Sequence, residues 1–458
     1  MHSGKVTMES PLKIKNIRLF ILFKVLFNSR FYYPVFTILF LDFGLSVAQF
    51  SILNAVWAAT IVLLEVPSGA LADILGRRRL LVAATTIMMF EIGVIAFVPT
   101  HNPTLVFWVF LFNRICSGLA EAAASGADEA IAYDSLVAQG DPDQWGRVLE
   151  VMMRFQSIGF IIAMSTGAAM YDPRLLESLF SIFGASPGFT QETTMRIPLY
   201  ATLVLAVLAW LTTLQLKDPQ VPSQKGQPDR TGQVAPDSHK PPSLAQAFRL
   251  TWHAGLWICR TPFALAVILF GMMFDGVVRM VITLSSQYYR MVQLPESVFG
   301  LLGSMVAILG LIIPKIAKSI AENRSPAFGL WLTAALTATG LSGMSFFWPY
   351  IGLFPALVTF GAMYFTGFFV SYHINRITSS EQRATVLSFK GLAYNISYGL
   401  LGVMYALLLK AMKDGVQTIE MENMVFMDTF WSFPALFGIW FLCLLVVYFL
   451  FLKPRPSI

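Results

Sequence analysis

Gly69-Ala70-Leu71-Ala72-Asp73-Ile74-Leu75-Gly76-Arg77-Arg78-Arg79 joins two long apolar runs and places one acid, two glycines and three consecutive arginines within eleven residues. The run before it covers residues 47–70, and the run after it covers 79–99. Each is about as long as a helix needs to cross a hydrocarbon core roughly 30 Å thick. Gly69 and Gly76 let helices approach and the backbone turn tightly. Asp73, at a helix end, can pair with an arginine or cap a neighbouring helix. The arginines hold the turn at an anionic membrane surface.

Outward from this turn the pattern repeats. The chain has 458 residues, 56% of them hydrophobic and only 13% charged, about half the charged fraction of a soluble globular domain. Apolar runs recur at roughly 18–41, 47–70, 79–99, 104–127, 147–170, 198–216, 262–288, 296–314, 327–347, 350–372, 384–409 and 424–452. They predict an all-α polytopic membrane protein with twelve transmembrane helices. The net charge of +6 orients helices rather than binding nucleic acid, because no basic face sits on a soluble domain. Cys116, Cys259 and Cys443 are too scattered for a disulfide framework or a metal cluster. The N-terminus has no short apolar core with a small-residue cleavage site, so the first apolar run is read as the first span. No His-Glu metal pair, nucleophile elbow or phosphate loop lies on any span, so neither an enzyme nor a cofactor is expected.

Asp218 to Ser243 is rich in Pro, Gln, Lys, Asp and Gly, too polar to pack a core, and reads as a flexible linker. It divides the spans six and six. The expected organisation is a polar segment 1–17, a six-helix bundle 18–216, a linker 217–250, a second bundle 251–452 and a tail 453–458. With both termini cytoplasmic, the outer connections collect only Arg174, Arg196, Arg290, Lys410 and Lys413. The remaining loop cations fall inside, as the positive-inside rule requires. Within the longest outer connection, 171–197, Pro173 to Phe183 reads as a short interfacial helix.

The halves are related. Aligning Gly44-Leu45-Ser46 with Gln293-Leu294-Pro295 gives an offset of 249 residues, which carries Arg30 onto Arg279 and Asp73 onto Glu322. Aligning Arg147 with Arg383 gives an offset of 236, which carries Arg154 onto Lys390. Two basic pairs therefore occupy equivalent positions.

An ionisable group at membrane depth costs several kcal/mol and is a functional candidate by default. Arg30 lies twelve residues past Arg18, about 18 Å along a helix. Arg279 has Asp275 at i−4, within pairing reach. Arg114 and Glu121 share a face of the fourth span. Arg30, Arg279, Arg154, Lys390 and Arg114 are the candidate substrate-binding cations, with Tyr33 and Asn395 as polar neighbours. Glu121, Asp275 and Glu91 are the candidate proton-coupling acids. The basic excess points to an anionic or amphipathic small molecule held by arginine forks. Buried arginines also make ion pairs between helices, for example Arg30 with a carboxylate on the fourth span.

Gly69-xxx-Asp73-xx-Gly76-Arg77-Arg78 resembles the loop motif of the major facilitator superfamily, and Arg114-xxx-Gly118-Leu119-Ala120 is similar to the arginine motif of its fourth span. Glu65-Val66-Pro67-Ser68-Gly69 and Ser125 to Leu136 resemble a prokaryotic efflux-type branch. The resemblance implies two pseudo-symmetric six-helix bundles that alternate access as a monomer in a prokaryotic inner membrane, coupled to protons or another ion. It implies that spans 1, 4, 7 and 10 line a central cavity. It also implies that Gly69, Asp73, Gly76, Arg77, Arg78 and Glu322 form a cytoplasmic gate. The second-half loop keeps Glu322 but lacks both glycines, so the gate is expected to be lopsided. The fifth span carries Gly159 and Gly167 with no proline between them, a departure from the Gly-Pro series of antiporter members.

Overall fold

A computed structural model describes residues 10–125, 127–139, 144–219, 244–377, 380–412 and 418–452, and the regular structure among them is helical throughout. The first half holds α1 (Lys15–Asn28), α2 (Phe36–Asp42), α3 (Val47–Leu75), α4 (Arg77–Ala96), α5 (Pro103–Ala124), α6 (Ala127–Ala138), α7 (Trp145–Tyr171), α8 (Pro173–Ile182), α9 (Gln191–Thr194) and α10 (Ile197–Leu214). The second holds α11 (Leu244–Arg260), α12 (Pro262–Thr283), α13 (Ser285–Met291), α14 (Phe299–Asn323), α15 (Pro326–Met344), α16 (Leu353–Ile377), α17 (Ser380–Met412), α18 (Ile419–Phe430) and α19 (Ser432–Val447). The expected linker lies mostly outside the described residues, as do the first nine residues and the tail. α11 begins inside the stretch read as linker.

The helix starts are written locally. Ser46 and Gln49 form a capping box, with the Gln49 amide donating to Ser46 Oγ at 3.2 Å and the Ser46 amide donating to Gln49 Oε1 at 2.9 Å. Asn102 and Ser325 cap α5 and α15, each with proline as the next residue. A side-chain acceptor followed by proline satisfies one orphan amide and removes another. Asp172 caps α8, the expected interfacial helix, whose Leu179, Phe180 and Ile182 are exposed.

Eleven described segments are long and apolar enough to cross a membrane. The first expected span is divided between α1, of 14 residues, and α2, of 7. The backbone leaves the helix at Ser29 and re-enters through a short 3-10 turn at Tyr33–Val35 that contains Pro34. Proline supplies no amide donor, so the ladder cannot close across it. The seventh span breaks at Leu284. The 249-residue offset carries Phe36–Asp42 onto Ser285–Met291, which are α2 and α13, so the two breaks are equivalent under the repeat. Gly159 and Gly167 explain how the broken segment is seated. A Cβ on Gly167 would lie 1.8 Å from the Phe31 carbonyl oxygen, and one on Gly159 2.7 Å from Val25. α7 is therefore a trough for the first span, and a proline series is not needed for that purpose.

The halves meet along α3 with α17 and α7 with α14. Beyond these seams, the end opposite the linker is pinned by polar contacts. The Thr37 amide donates to Ser286 Oγ at 2.9 Å, joining two residues that the repeat makes equivalent. The Thr37 hydroxyl donates to the Thr283 carbonyl. The Ser297 amide donates to Asp172 Oδ2 at 3.3 Å.

Candidate functional site

A cavity of about 220 Å3 lies between the halves at the level of the two helix breaks. Arg30, Tyr33 and Phe36 reach it from the first span, Asn54 and Trp57 from α3, Arg114, Ser117 and Glu121 from α5, Arg279 and Thr283 from α12, and Tyr398 from α17. Three expected cations and one expected acid thus line one cavity from both halves. Arg154 and Lys390 are not part of it. Arg154 is exposed on α7, and the Lys390 ammonium lies 5.7 Å from the Tyr394 ring.

The three arginines are held differently. Arg30 is 2% exposed, and Nη1 donates to Glu91 Oε1 at 3.0 Å, to Tyr32 Oη at 2.9 Å and to Ser117 Oγ at 3.5 Å. Glu91 on α4 is fully buried and also accepts from the Asn113 side-chain amide. The Arg30 partner is therefore on the third span rather than the fourth. A carboxylate and a guanidinium so enclosed neutralise each other, and removing either would strand a buried charge. Arg279 pairs with Asp275 one turn earlier and donates to Asn395 Oδ1 at 2.9 Å. Its ring neighbour is Tyr398, 5.6 Å away.

Arg114 has no carboxylate partner among the described residues. Its Nη2 donates to Ser117 Oγ at 3.0 Å and its Nη1 to Asn54 Oδ1 at 3.5 Å. Phe36, Phe40 and Trp57 surround the guanidinium at 5.4, 5.9 and 5.9 Å. Ring faces stabilise a cation without cancelling its charge. Arg114 is 4% exposed, and its buried Nε–H has no acceptor. Glu121, two turns along the same helix face, forms no ion pair among the described residues.

A second cavity, of about 310 Å3, adjoins the first and shares Tyr33, Phe36 and Thr283 with it. Apart from Ser285, its other walls are apolar or aromatic and include Phe160, Met164, Phe299, Val306, Ala307 and Tyr364. The residues that sequence reasoning missed here, Asn54, Trp57, Ser117 and Thr283, carry no charge and so gave no signal at membrane depth.

The end opposite the linker holds a cluster that was read only as loop charge. Arg290 on α13 grips Asp42 of α2 with two bonds, Nη1 to Oδ1 at 2.8 Å and Nη2 to Oδ2 at 2.9 Å. Tyr171 donates to Asp42 Oδ2 at 2.5 Å, and Glu296 accepts from Arg290 Nε at 3.0 Å. Burial alone would lower the Arg290 pKa, but Asp42 and Glu296 outweigh it and leave it above the ordinary arginine value. No local signal marks the pair, whose members are 248 residues apart.

At the opposite end the loop motif fastens its own half. Gly76 has φ +91°, a conformation that glycine adopts without strain, and it turns α3 into α4. The Arg78 amide donates to Asp218 Oδ1 at 3.0 Å, and its Nη2 to the Leu214 carbonyl at 2.9 Å. Arg77 pairs with Asp134 and donates to the Ala130 carbonyl at 3.0 Å. Lys24 of α1 pairs with Asp128 at 2.5 Å. Two of the three acids of α6, Asp134 and Asp128, thus answer the loop and the first span. Gly69 and Asp73 lie within α3, and the Asp73 side chain is outside the described residues. Glu322 lies 3.8 Å from Lys318 on its own helix.

Residues 19–402 match the family model of the Major Facilitator Superfamily. No curated protein matches the chain significantly. Among solved structures, a bacterial homologue of the human lysosomal transporter Spinster, inward-facing and unoccupied, superposes with TM-score 0.68 at 15% identity, covering 98% of this chain and 100% of that one. A point mutant of the nucleoside transporter NupG superposes with TM-score 0.67 at 15% identity, covering 94% of this chain and 99% of that one. These likenesses establish the fold. The chain is an integral, multi-pass transporter of a small molecule rather than an enzyme, and it belongs to the Major Facilitator Superfamily.

Proposed function

We propose that this transporter carries a small organic anion or amphipathic compound by alternating access, linked to protons and working in the export direction. The observation that carries the reading is Arg114: a cation in a mid-membrane cavity, ringed by aromatic faces, without a carboxylate partner among the described residues. A guanidinium without an ion pair of its own at that depth costs several kcal/mol, and an anionic cargo would supply a direct counter-charge. Glu121 faces the same cavity. Its protonation would remove the one unpaired negative charge among the described residues that an anion beside Arg114 would face there, so cargo and proton would bind together. The export direction rests on the resemblance of 65–69 and 125–136 to efflux-type members, and with proton and cargo moving together it is driven by the cargo's own outward gradient.

The halves would rock about the central site, with the Asp42–Arg290 cluster closing the outer end in the conformation described. The loop motif and Glu322 are proposed to gate the linker side in the opposite conformation. The test is uptake into proteoliposomes under imposed solute and pH gradients. Movement of an anion that Arg114→Gln abolishes supports the reading; no solute moved under any gradient overturns it. A second reading, uptake or uniport of a neutral metabolite, is favoured by the pairing of Arg30 with Glu91 and of Arg279 with Asp275. That pairing leaves those parts of the wall neutral.

A further inference from the structure

The two adjoining cavities differ in chemistry, and the difference defines a cargo more narrowly than its sign. This inference rests on the transport reading above. In the first cavity, Arg30 and Arg279 are neutralised by Glu91 and Asp275, so one guanidinium, that of Arg114, remains for an anion once Glu121 is protonated. A second negative charge would meet no free cation among the described residues there. The second cavity offers apolar surface from both halves and shares a wall with the first at Tyr33, Phe36 and Thr283. Tyr33 stands between the two spaces and lines both. Their combined size lies within the range of small-molecule sites.

We infer that the cargo is an amphipathic monoanion, its carboxylate- or sulfonate-like head on Arg114 and its apolar tail in the cavity lined by Phe160, Met164, Val306 and Ala307. Arg30 then serves to hold the broken first span rather than to grip cargo. Ala307 sits where added bulk would shorten the tail that fits.

The test is a binding series on the purified protein in nanodiscs, using linear alkanesulfonates of two to eight carbons and the matching α,ω-disulfonates. Sulfonates stay ionised, which fixes the charge of the probe. In the unmodified protein, affinity should rise about fourfold per buried methylene until the second cavity is full. Each disulfonate should bind at least tenfold more weakly than its monosulfonate. Arg114→Gln should weaken sulfonate binding at least tenfold, and Ala307→Phe should lower the ratio of long-chain to short-chain affinity by at least tenfold. Disulfonates that bind as tightly as monosulfonates, or affinity that is flat in chain length, would overturn the inference without recourse to any variant. If no sulfonate binds to protein that transports another solute in liposomes, the inference fails and the transport reading stands. If nothing is transported, the transport reading fails.

Discussion

Asp42→Asn should open the outer end. The change keeps the size of the side chain and its contact with Tyr171 but removes the charge that Arg290 grips with two bonds, at 2.8 and 2.9 Å. Arg290 would retain Glu296, so the guanidinium is not wholly stranded. The two side chains of the pair are 28% and 15% exposed. Fully exposed pairs contribute about 0–1 kcal/mol, and stripping a partner from a fully buried charge costs about 3–5 kcal/mol. A half-buried pair with a remaining partner falls between, at about 1–2 kcal/mol. Applied to the balance between outer-closed and outer-open forms, that is a shift of roughly 5- to 30-fold. Spin labels at Ser181 and Tyr350, exposed on the outer parts of the two halves, would report it by double electron–electron resonance. The variant should show a longer-distance population that the parent lacks, and the exchange Asp42→Arg with Arg290→Asp should suppress it. An unchanged distance distribution in Asp42→Asn would refute the assignment of this cluster as the outer latch.

Other consequences are equally direct. Arg30→Gln strands the fully buried Glu91 and should destabilise the protein by about 3–5 kcal/mol, seen as a lower unfolding temperature; Arg30→Gln with Glu91→Gln should recover most of the loss. Gly167→Val places side-chain carbon against the Phe31 carbonyl, so size-exclusion profiles should show little folded protein, whereas Gly367→Ala, with open space around it, should elute normally. If proton and anion bind together through Glu121, anion affinity in the parent should fall as pH rises across the interval assayed. Glu121→Gln should then bind anion with an affinity independent of pH over the same interval.

Much of this was legible in the chain, for physical reasons. Helix length and apolarity are local properties, so the spans and the interfacial helix at Pro173–Ile182 could be read directly. The pairing of Arg279 with Asp275 follows from helical spacing. The partner of Arg30 could not be read, because Glu91 lies on another helix and only packing decides which acid reaches it. The break in the first span was less visible still: Pro34 marks it, but the apolar run continues through it. Arg290 looked like an orienting charge because its partner, Asp42, is 248 residues away. Arg114 stood out as a buried cation, yet its lack of a carboxylate partner is a statement about every neighbouring helix and no sequence window contains it.

The most direct test of the account is proton movement driven by an anion gradient in proteoliposomes that carry an internal pH indicator, with octanesulfonate as the probe anion. The account predicts that an outward anion gradient carries protons out with it, one per anion, at a rate insensitive to membrane potential and lost in Arg114→Gln. Anion efflux with no accompanying proton, or efflux that persists in Arg114→Gln, would contradict it.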